Sequence, residues 1–91
     1  MQYRRATGVI HEQLDGQAVL LDPDAVHLVT LNPVGSLVWD LLDEERTRAE
    51  LVGQLLPKVR GVTVEDLDVD VAAFLAELVE IGVVVASDEQ T

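Results

Sequence analysis

The chain has 91 residues, 48% of them hydrophobic, and this length fits one domain with a single modest core. We expect a single domain over 1–91, with an ordered core at about 9–85 and frayed termini. Its 17 acidic and 6 basic residues give a formal net charge of −11, which repels the phosphate backbone of nucleic acid. The chain has no cysteine, which excludes disulfides and thiolate metal sites.

No targeting or membrane segment is evident in the sequence. The N-terminal MQYRRATGVI lacks the apolar region of a signal peptide, and no segment approaches the roughly 18 apolar residues of a membrane span. We therefore expect a soluble, cytoplasmic protein without a membrane partner.

Three extended segments are predicted in the first third of the chain. Segments 9–14 and 17–22 flank Asp15-Gly16, and an Asp-Gly pair in this position is typical of a type I′ hairpin. Asp22-Pro23-Asp24 ends the second strand, and a third strand is predicted over 26–31. The run of apolar residues in the second strand leaves open which of its faces is buried.

The third strand leads directly into a helix. Asn32 is a good N-cap, and Pro33 suits the first helical position because its missing N–H costs nothing there. The apolar residues that follow have the spacing of a helix lying on a core, with Trp39 beside the stripe: Val34, Leu37, Val38, Leu41 and Leu42.

Two further helices follow, each with a sequence signal at its start. Thr47 and Glu50 form a capping box for the second helix, and Pro57 ends it. Thr63 caps the third helix and Gly82 ends it, before a short extended tail at 83–85. The sequence therefore predicts an α+β fold in which a three-stranded antiparallel sheet is followed by three helices.

The third helix has more apolar surface than one core contact uses. One stripe should face the core: Leu67, Val71, Phe74, Leu78 and Ile81. A second stripe consists of Val69, Ala72, Ala76 and Val79, and Leu75 bridges the two. Two interpretations are open: the second stripe packs under the sheet or the 83–85 tail, or it lines a groove for an apolar partner.

No arrangement of residues points to catalysis or to a metal. His11 and His27 have no ligand partner at a recognised spacing. Ser36 lacks the G-x-S-x-G pattern of a nucleophile, and its place in the first turn of a helix suits local backbone hydrogen bonding. We expect no catalytic residue, no metal ligand, no cofactor and no enzymatic activity.

Three segments carry a resemblance to a known family: LNPVGSLVWDLLD at 31–43, TRAEL at 47–51 and DVAAFLAELVEIG at 70–82. With them the chain resembles the PqqD-like family, the recognition elements that bind ribosomally made precursor peptides. The resemblance extends over roughly 9–85. The Leu-Asn-Pro-x-Gly sequence with Trp39 is more similar to the stand-alone recognition proteins of lasso peptide biosynthesis than to the pyrroloquinoline quinone protein.

The resemblance implies a winged helix-turn-helix-like fold and a monomeric, non-catalytic adaptor. In relatives, the leader region of the precursor adds as a strand beside the third strand and rests apolar side chains against the third helix. A lasso-type leader would use a tyrosine and a proline as anchors and would be delivered to a leader peptidase and a cyclase. The implied peptide-binding residues are Val26, His27, Leu28, Val29, Thr30, Leu31, Val69, Ala72, Leu75, Ala76 and Val79.

Three alternatives remain. A peptide chaperone of pyrroloquinoline quinone biosynthesis would share the fold and the binding mode. A winged-helix DNA-binding protein would also share the fold, but the third helix is acidic and not basic. A dimerisation module is the third alternative, since fold alone does not decide function.

Overall fold

The computed structural model describes residues 1–88. In chain order its elements are β1 Gln2–Arg5, β2 Ile10–Leu14, β3 Gln17–Leu21, β4 Leu28–Thr30, α1 Pro33–Leu41, β5 Arg46–Thr47, α2 Arg48–Leu55, a 3-10 turn Leu56–Lys58, α3 Val64–Ile81 and β6 Val84–Ser87. The predicted α+β fold with a three-stranded antiparallel sheet and three helices is confirmed, and a second small sheet is added to it.

The predicted hairpin and third strand form the antiparallel sheet β2-β3-β4. Asp15 and Gly16 have φ of 54° and 79°, as the two central residues of a type I′ turn require. Ala18 and Leu20 are completely buried, whereas their neighbours on β3 are half-buried. The face of β3 that carries Ala18 and Leu20 therefore packs on the core, which the sequence left open.

The passage from β4 into α1 agrees with the prediction. Asn32 Oδ1 accepts a hydrogen bond from the Gly35 N–H at 2.7 Å, and Pro33 is the first helical residue. The buried Ser36 Oγ accepts the Ala18 N–H at 2.7 Å. Ser36 Oγ also donates a hydrogen bond to the Leu31 carbonyl oxygen at 3.4 Å, so Ser36 bonds to local backbone as expected and in addition joins α1 to β3.

A second sheet, with strand order β5-β1-β6, was not predicted. Residues 2–5 pair with β5 and with β6, so the expectation of a frayed N terminus was wrong. The strands that pair with β1 lie more than 40 residues away along the chain. The sequence of residues 2–5 alone therefore does not show that this segment has a partner. The extended tail at 83–85 is confirmed within β6, whereas fraying at 89–91 lies outside the described residues.

Trp39 and Arg5 join the second sheet to α1. Trp39 is completely buried, and the Arg5 Nη2 donates a hydrogen bond to its carbonyl oxygen at 2.7 Å. The Arg5 guanidinium carbon also lies 4.6 Å from the Trp39 ring centroid, a cation–π arrangement. Arg5 therefore holds β1 against α1, the helix that follows β4 directly.

The predicted caps explain where α2 and α3 begin and end. Thr47 Oγ1 accepts from the Glu50 N–H at 3.1 Å, while Glu50 Oε1 accepts from the Thr47 N–H at 2.8 Å, which confirms the capping box. Thr63 Oγ1 accepts from the Asp66 N–H at 3.1 Å, and Gly82 ends α3 with φ of 98°. Such a φ strains any residue with a Cβ.

The core side of α3 is rotated relative to the predicted stripe. The buried residues are Leu67, Val71, Leu75 and Leu78. Phe74 and Ile81, predicted as core, are only half-buried, because they lie at the edge of the buried stripe. Leu75, which the sequence placed between two stripes, is completely buried.

Replacing Leu75 with alanine should strongly destabilise the fold. Its side chain has no exposed surface, so the substitution leaves a cavity and should lower the free energy of unfolding by about 2–5 kcal/mol. Urea unfolding followed by circular dichroism measures the change. Val69→Ala is the control, because Val69 is 66% exposed, and a change of similar size in both variants would contradict the assignment of Leu75 to the core.

Candidate functional site

Strand β4 has one open edge. Its only partner in the described chain is β3, and hydrogen bonds of 2.8 and 3.1 Å at the two ends of this pair fix which residues bond across it. Hydrogen-bonded and non-bonded pairs alternate in an antiparallel ladder. Val29 is therefore bonded to β3, whereas Leu28 and Thr30 direct their N–H and C=O groups to the open edge.

A cleft with a volume of about 230 Å³ lies between β4 and α3, and five of its eight lining residues are apolar. Its walls come from the end of β4, from the following corner and from one flank of α3: Val29, Thr30, Leu31, Asn32, Phe74, Glu77, Leu78 and Ile81. Unpaired main-chain groups and an apolar depression are thus side by side, the combination that binds an extended peptide.

A second depression of about 210 Å³ continues the cleft toward α1 and shares Asn32 and Phe74 with it. Phe74 therefore forms the wall between the two halves. A Cβ atom at Gly35 would lie 2.8 Å from two carbons of the Phe74 ring. Glycine at this position is what allows the ring to lie against α1 and leave both depressions open.

The charge of the cleft is negative. Among the described residues, Glu77 is the only charged residue that lines the depression beside β4, and Asp70 is the only one in the depression beside α1. An occupant with apolar side chains and a basic group at its edge would be complementary to these walls.

The predicted binding residues on the strand divide into two groups. Val29, Thr30 and Leu31 line the cleft. Val26, His27 and Leu28 are exposed and do not line it. A role for all these residues in binding stays a prediction. Leu28 and Thr30 offer main-chain groups at the open edge, whereas Val29 offers its side chain to the cleft.

The second stripe of α3 does not border the cleft. None of Val69, Ala72, Leu75, Ala76 and Val79 is among its lining residues. Successive helical residues are about 100° apart, so Val79 lies about 140° around the helix from Phe74.

The same flank of α3 carries Asp68, which forms an ion pair with Arg48 of α2 at 2.9 Å. The stripe therefore borders α2, while the flank with Phe74, Glu77 and Ile81 faces β4. The cleft beside β4 therefore does not lie on the second stripe, where the sequence analysis placed a groove. The sequence shows two apolar flanks on α3, but it does not show which of them faces the strand.

Asp22 shapes the turn that leads into β4. Its side chain is 5% exposed and accepts hydrogen bonds from the N–H groups of Val26 and His27 at 2.8 and 3.1 Å. The His27 Nδ1 also lies 2.8 Å from its second oxygen. The bond from the His27 side chain, helped by the backbone bonds, lowers the pKa of Asp22, and partial desolvation opposes this only in part.

This carboxylate should make the turn sensitive to acid. A lowered pKa means that its contribution to stability is complete above the ordinary value of 3.8 and is lost as the pH falls through the lower value in the folded protein. Asp22→Asn should therefore lower the melting temperature at pH 7 and flatten its dependence on pH below about 4. Asp24→Asn, an exposed neighbour, is the control; parallel curves for wild type and Asp22→Asn would contradict this role.

Within residues 1–88 no three His, Asp or Glu side chains converge as a metal site would require. The two histidines have other contacts: His27 is bound to Asp22, and the His11 ring meets Trp39 edge-on at 5.6 Å. None of the helices in this part of the chain is long and apolar enough to cross a membrane.

Residues 17–84 match the model of the family described as coenzyme PQQ synthesis protein D, PqqD. This segment contains β3, β4, all three helices and thus the whole cleft. The chain belongs to the PqqD family. No curated protein sequence matches it.

Two solved structures are similar to this PqqD-family chain along almost all of its length. The structure described as TbiB1 in complex with the TbiA(beta) leader peptide has a TM-score of 0.83 and 23% identity, and the match covers 94% of this chain and 99% of that one. Lasso peptide synthetase B1 complexed with the leader peptide has a TM-score of 0.77 and 27% identity, with 92% and 98% covered. The PqqD-like recognition-element fold predicted from the sequence is confirmed.

Proposed function

We propose that this chain binds the leader region of a ribosomally synthesised precursor peptide of the lasso type. The leader adds as a strand to the open edge of β4 and inserts apolar side chains into the cleft beside α3. The observation that carries this proposal is the juxtaposition of unpaired Leu28 and Thr30 amides with the apolar cleft. The similarity to two leader-peptide complexes supports it.

The geometry of strand addition assigns the leader's side chains to two faces. In an antiparallel or parallel pair, residues opposite each other point to the same side of the sheet. A leader residue opposite Val29 points into the cleft, as Val29 does, toward Phe74 and Ile81. The two depressions separated by Phe74 would hold two apolar anchors, such as a tyrosine and a proline.

The chain acts as an adaptor and not as an enzyme under this proposal. It holds the precursor for a leader peptidase and a cyclase in the cytoplasm, and the gain comes from effective concentration, because a tethered peptide meets the enzyme far more often than a free one. The purified chain alone should neither cleave nor cyclise the precursor, since no nucleophile and base are arranged for it within residues 1–88. A processed product in a mass-spectrometric assay without other proteins would contradict this.

Fluorescence polarisation with a labelled leader peptide tests the binding itself. We expect saturable binding to the monomer, reversed by unlabelled leader but not by a peptide of the same composition in scrambled order. The absence of saturable binding to the leader encoded in the same gene cluster would contradict the proposal.

A peptide chaperone of pyrroloquinoline quinone biosynthesis is the second candidate, favoured by the match to the PqqD family. It uses the same edge and cleft, so the two candidates differ only in the peptide. Titrating both a lasso-type leader and a pyrroloquinoline quinone precursor separates them. DNA binding is disfavoured by Asp70 and Glu77 on the exposed flank of α3.

A further inference from the structure

The turn between β3 and β4 has no buried apolar side chain to hold it. Residues 23–28 are all exposed, and Asp22 is the one buried residue of the segment 22–28. A segment with few buried contacts opens easily, so its hydrogen bonds decide how well it is ordered. Strand β4 begins at Leu28, directly after this turn, and its order therefore depends on the bonds that Asp22 makes.

Asp22 is one partner in every hydrogen bond that the described chain makes within residues 22–27. Its main-chain N–H donates to the His27 carbonyl oxygen at 3.1 Å, and its carbonyl oxygen accepts from the Ala25 N–H at 2.9 Å. Its carboxylate adds the bonds to the Val26 N–H, the His27 N–H and the His27 ring. We call the three bonds of the carboxylate the Asp22 clasp.

The Asp22 clasp surrounds a backbone conformation that the local sequence disfavours. Ala25 has a φ of 58°, in the left-handed region, where its Cβ makes the backbone less favourable than that of a glycine. Such a conformation persists only where the surrounding interactions determine it. Without the carboxylate we expect Ala25 to relax and the start of β4 to move with it.

The clasp also sets where the open edge of β4 begins. Hydrogen-bonding directions alternate along a strand, so the Val26 N–H would point to the same edge as those of Leu28 and Thr30 if the strand continued backward. The Asp22 Oδ1 accepts this N–H at 2.8 Å and so removes it from the edge. The first free donor of the edge is therefore Leu28, next to Val29, whose side chain lines the cleft.

We propose that Asp22 is a positioning residue for leader binding: its carboxylate holds β4 in the arrangement that puts the Leu28 and Thr30 amides beside the cleft. This inference rests on the function proposed above. Asp22 acts through the turn and does not touch the leader. A site that is correctly arranged in only a fraction of the molecules loses apparent affinity in proportion to that fraction. Removing the clasp should therefore weaken binding even while the domain stays folded.

The test combines leader affinity with nuclear magnetic resonance of the free full-length chain. The variants are Asp22→Ala, which removes all three bonds of the clasp, and Asp22→Asn, which keeps an oxygen for the two main-chain N–H groups. Fluorescence polarisation with the labelled leader peptide encoded in the same gene cluster measures affinity. The amide signals of residues 28–30 report the arrangement of β4 and need no leader, while the Leu75 amide reports the core of α3.

Two controls separate positioning from charge and from stability. Asp24→Ala removes an exposed carboxylate of the same turn and should match wild type in every measurement. Val52→Ala removes a buried side chain of α2 that does not line the cleft. It should lower the melting temperature but leave the β4 signals and the leader affinity unchanged below that temperature.

We expect Asp22→Ala to weaken leader binding at least about tenfold, because the arranged edge then exists in a tenth of the molecules or fewer. The amide signals of residues 28–30 should move toward disordered values while the Leu75 signal stays in place. Asp22→Asn should lie between wild type and Asp22→Ala in both measurements.

Wild-type affinity in folded Asp22→Ala would overturn this inference and leave the proposed function standing. So would weaker binding with unchanged signals at residues 28–30, or an equal loss of affinity in Val52→Ala. If Asp22→Ala does not fold, wild-type affinity and signals in Asp22→Asn would overturn it. Failure of the wild type to bind the leader would overturn both the function and the inference.

Discussion

Replacing Thr30 with proline should weaken leader binding at least about tenfold, because the substitution removes a main-chain donor from the open edge of β4 and places a ring there. Leu28→Pro should act in the same way. Both amides face away from β3, so neither variant loses a bond of the sheet, and proline is tolerated on edge strands for this reason. Fluorescence polarisation measures the affinity, and circular dichroism verifies the fold.

Two variants of the same strand make this result specific. Thr30→Val keeps the N–H and a β-branched side chain and should bind normally. Val29→Pro removes a hydrogen bond to β3, so it should lower the melting temperature in addition to any effect on binding. Folded Leu28→Pro and Thr30→Pro variants with wild-type affinity would exclude strand addition at this edge.

Replacing Phe74 with alanine should also reduce leader binding at least about tenfold, since aromatic walls of a binding cleft contribute a large share of the affinity. The ring separates the two depressions and rests on Gly35. Because Phe74 is only half-buried, the loss of stability should be smaller than for Leu75→Ala. Thermal melts and binding measurements on the same samples separate the two effects.

Variants of the second stripe decide between the two flanks of α3. Ala76→Glu places a carboxylate on an exposed position away from the cleft, so the structure predicts normal melting and normal binding. The sequence-based placement of the groove predicts instead that Ala76→Glu or Val79→Asp abolishes binding. If Ala76→Glu folds normally but fails to bind while Phe74→Ala binds well, the leader occupies the second stripe.

Local sequence signals were sufficient wherever the determining interactions lie within a few residues. The Asp15-Gly16 turn, the Asn32-Pro33 helix start and the Thr47–Glu50 capping box follow from backbone preferences and from hydrogen bonds that span three residues at most. These signals give the order of strands and helices from β2 onward, and with it the α+β fold.

The cleft depended on how α3 is rotated against the sheet, which no local signal specifies. The sequence offers a flank of α3 with two large apolar residues, Phe74 and Ile81, and one charged residue, Glu77. It also offers a second apolar flank with Ala72 and Val79, and the pattern alone does not choose between them. Packing of Leu75 into the core sets the rotation of α3, and the second flank then lies toward α2, on the side where Asp68 pairs with Arg48.

The sequence by itself determined the elements of the sheet β2-β3-β4, the starts of the helices, and the acidic and apolar character of the surface. Only the tertiary structure decided that residues 2–5 form a strand, that Leu28 and Thr30 carry the open amides, and which flank of α3 completes the cleft. The physical reason is the range of the interactions. Turns and caps are fixed by neighbours in the chain, whereas strand partners, hydrogen-bond phase and helix rotation are fixed by contacts between residues far apart in sequence.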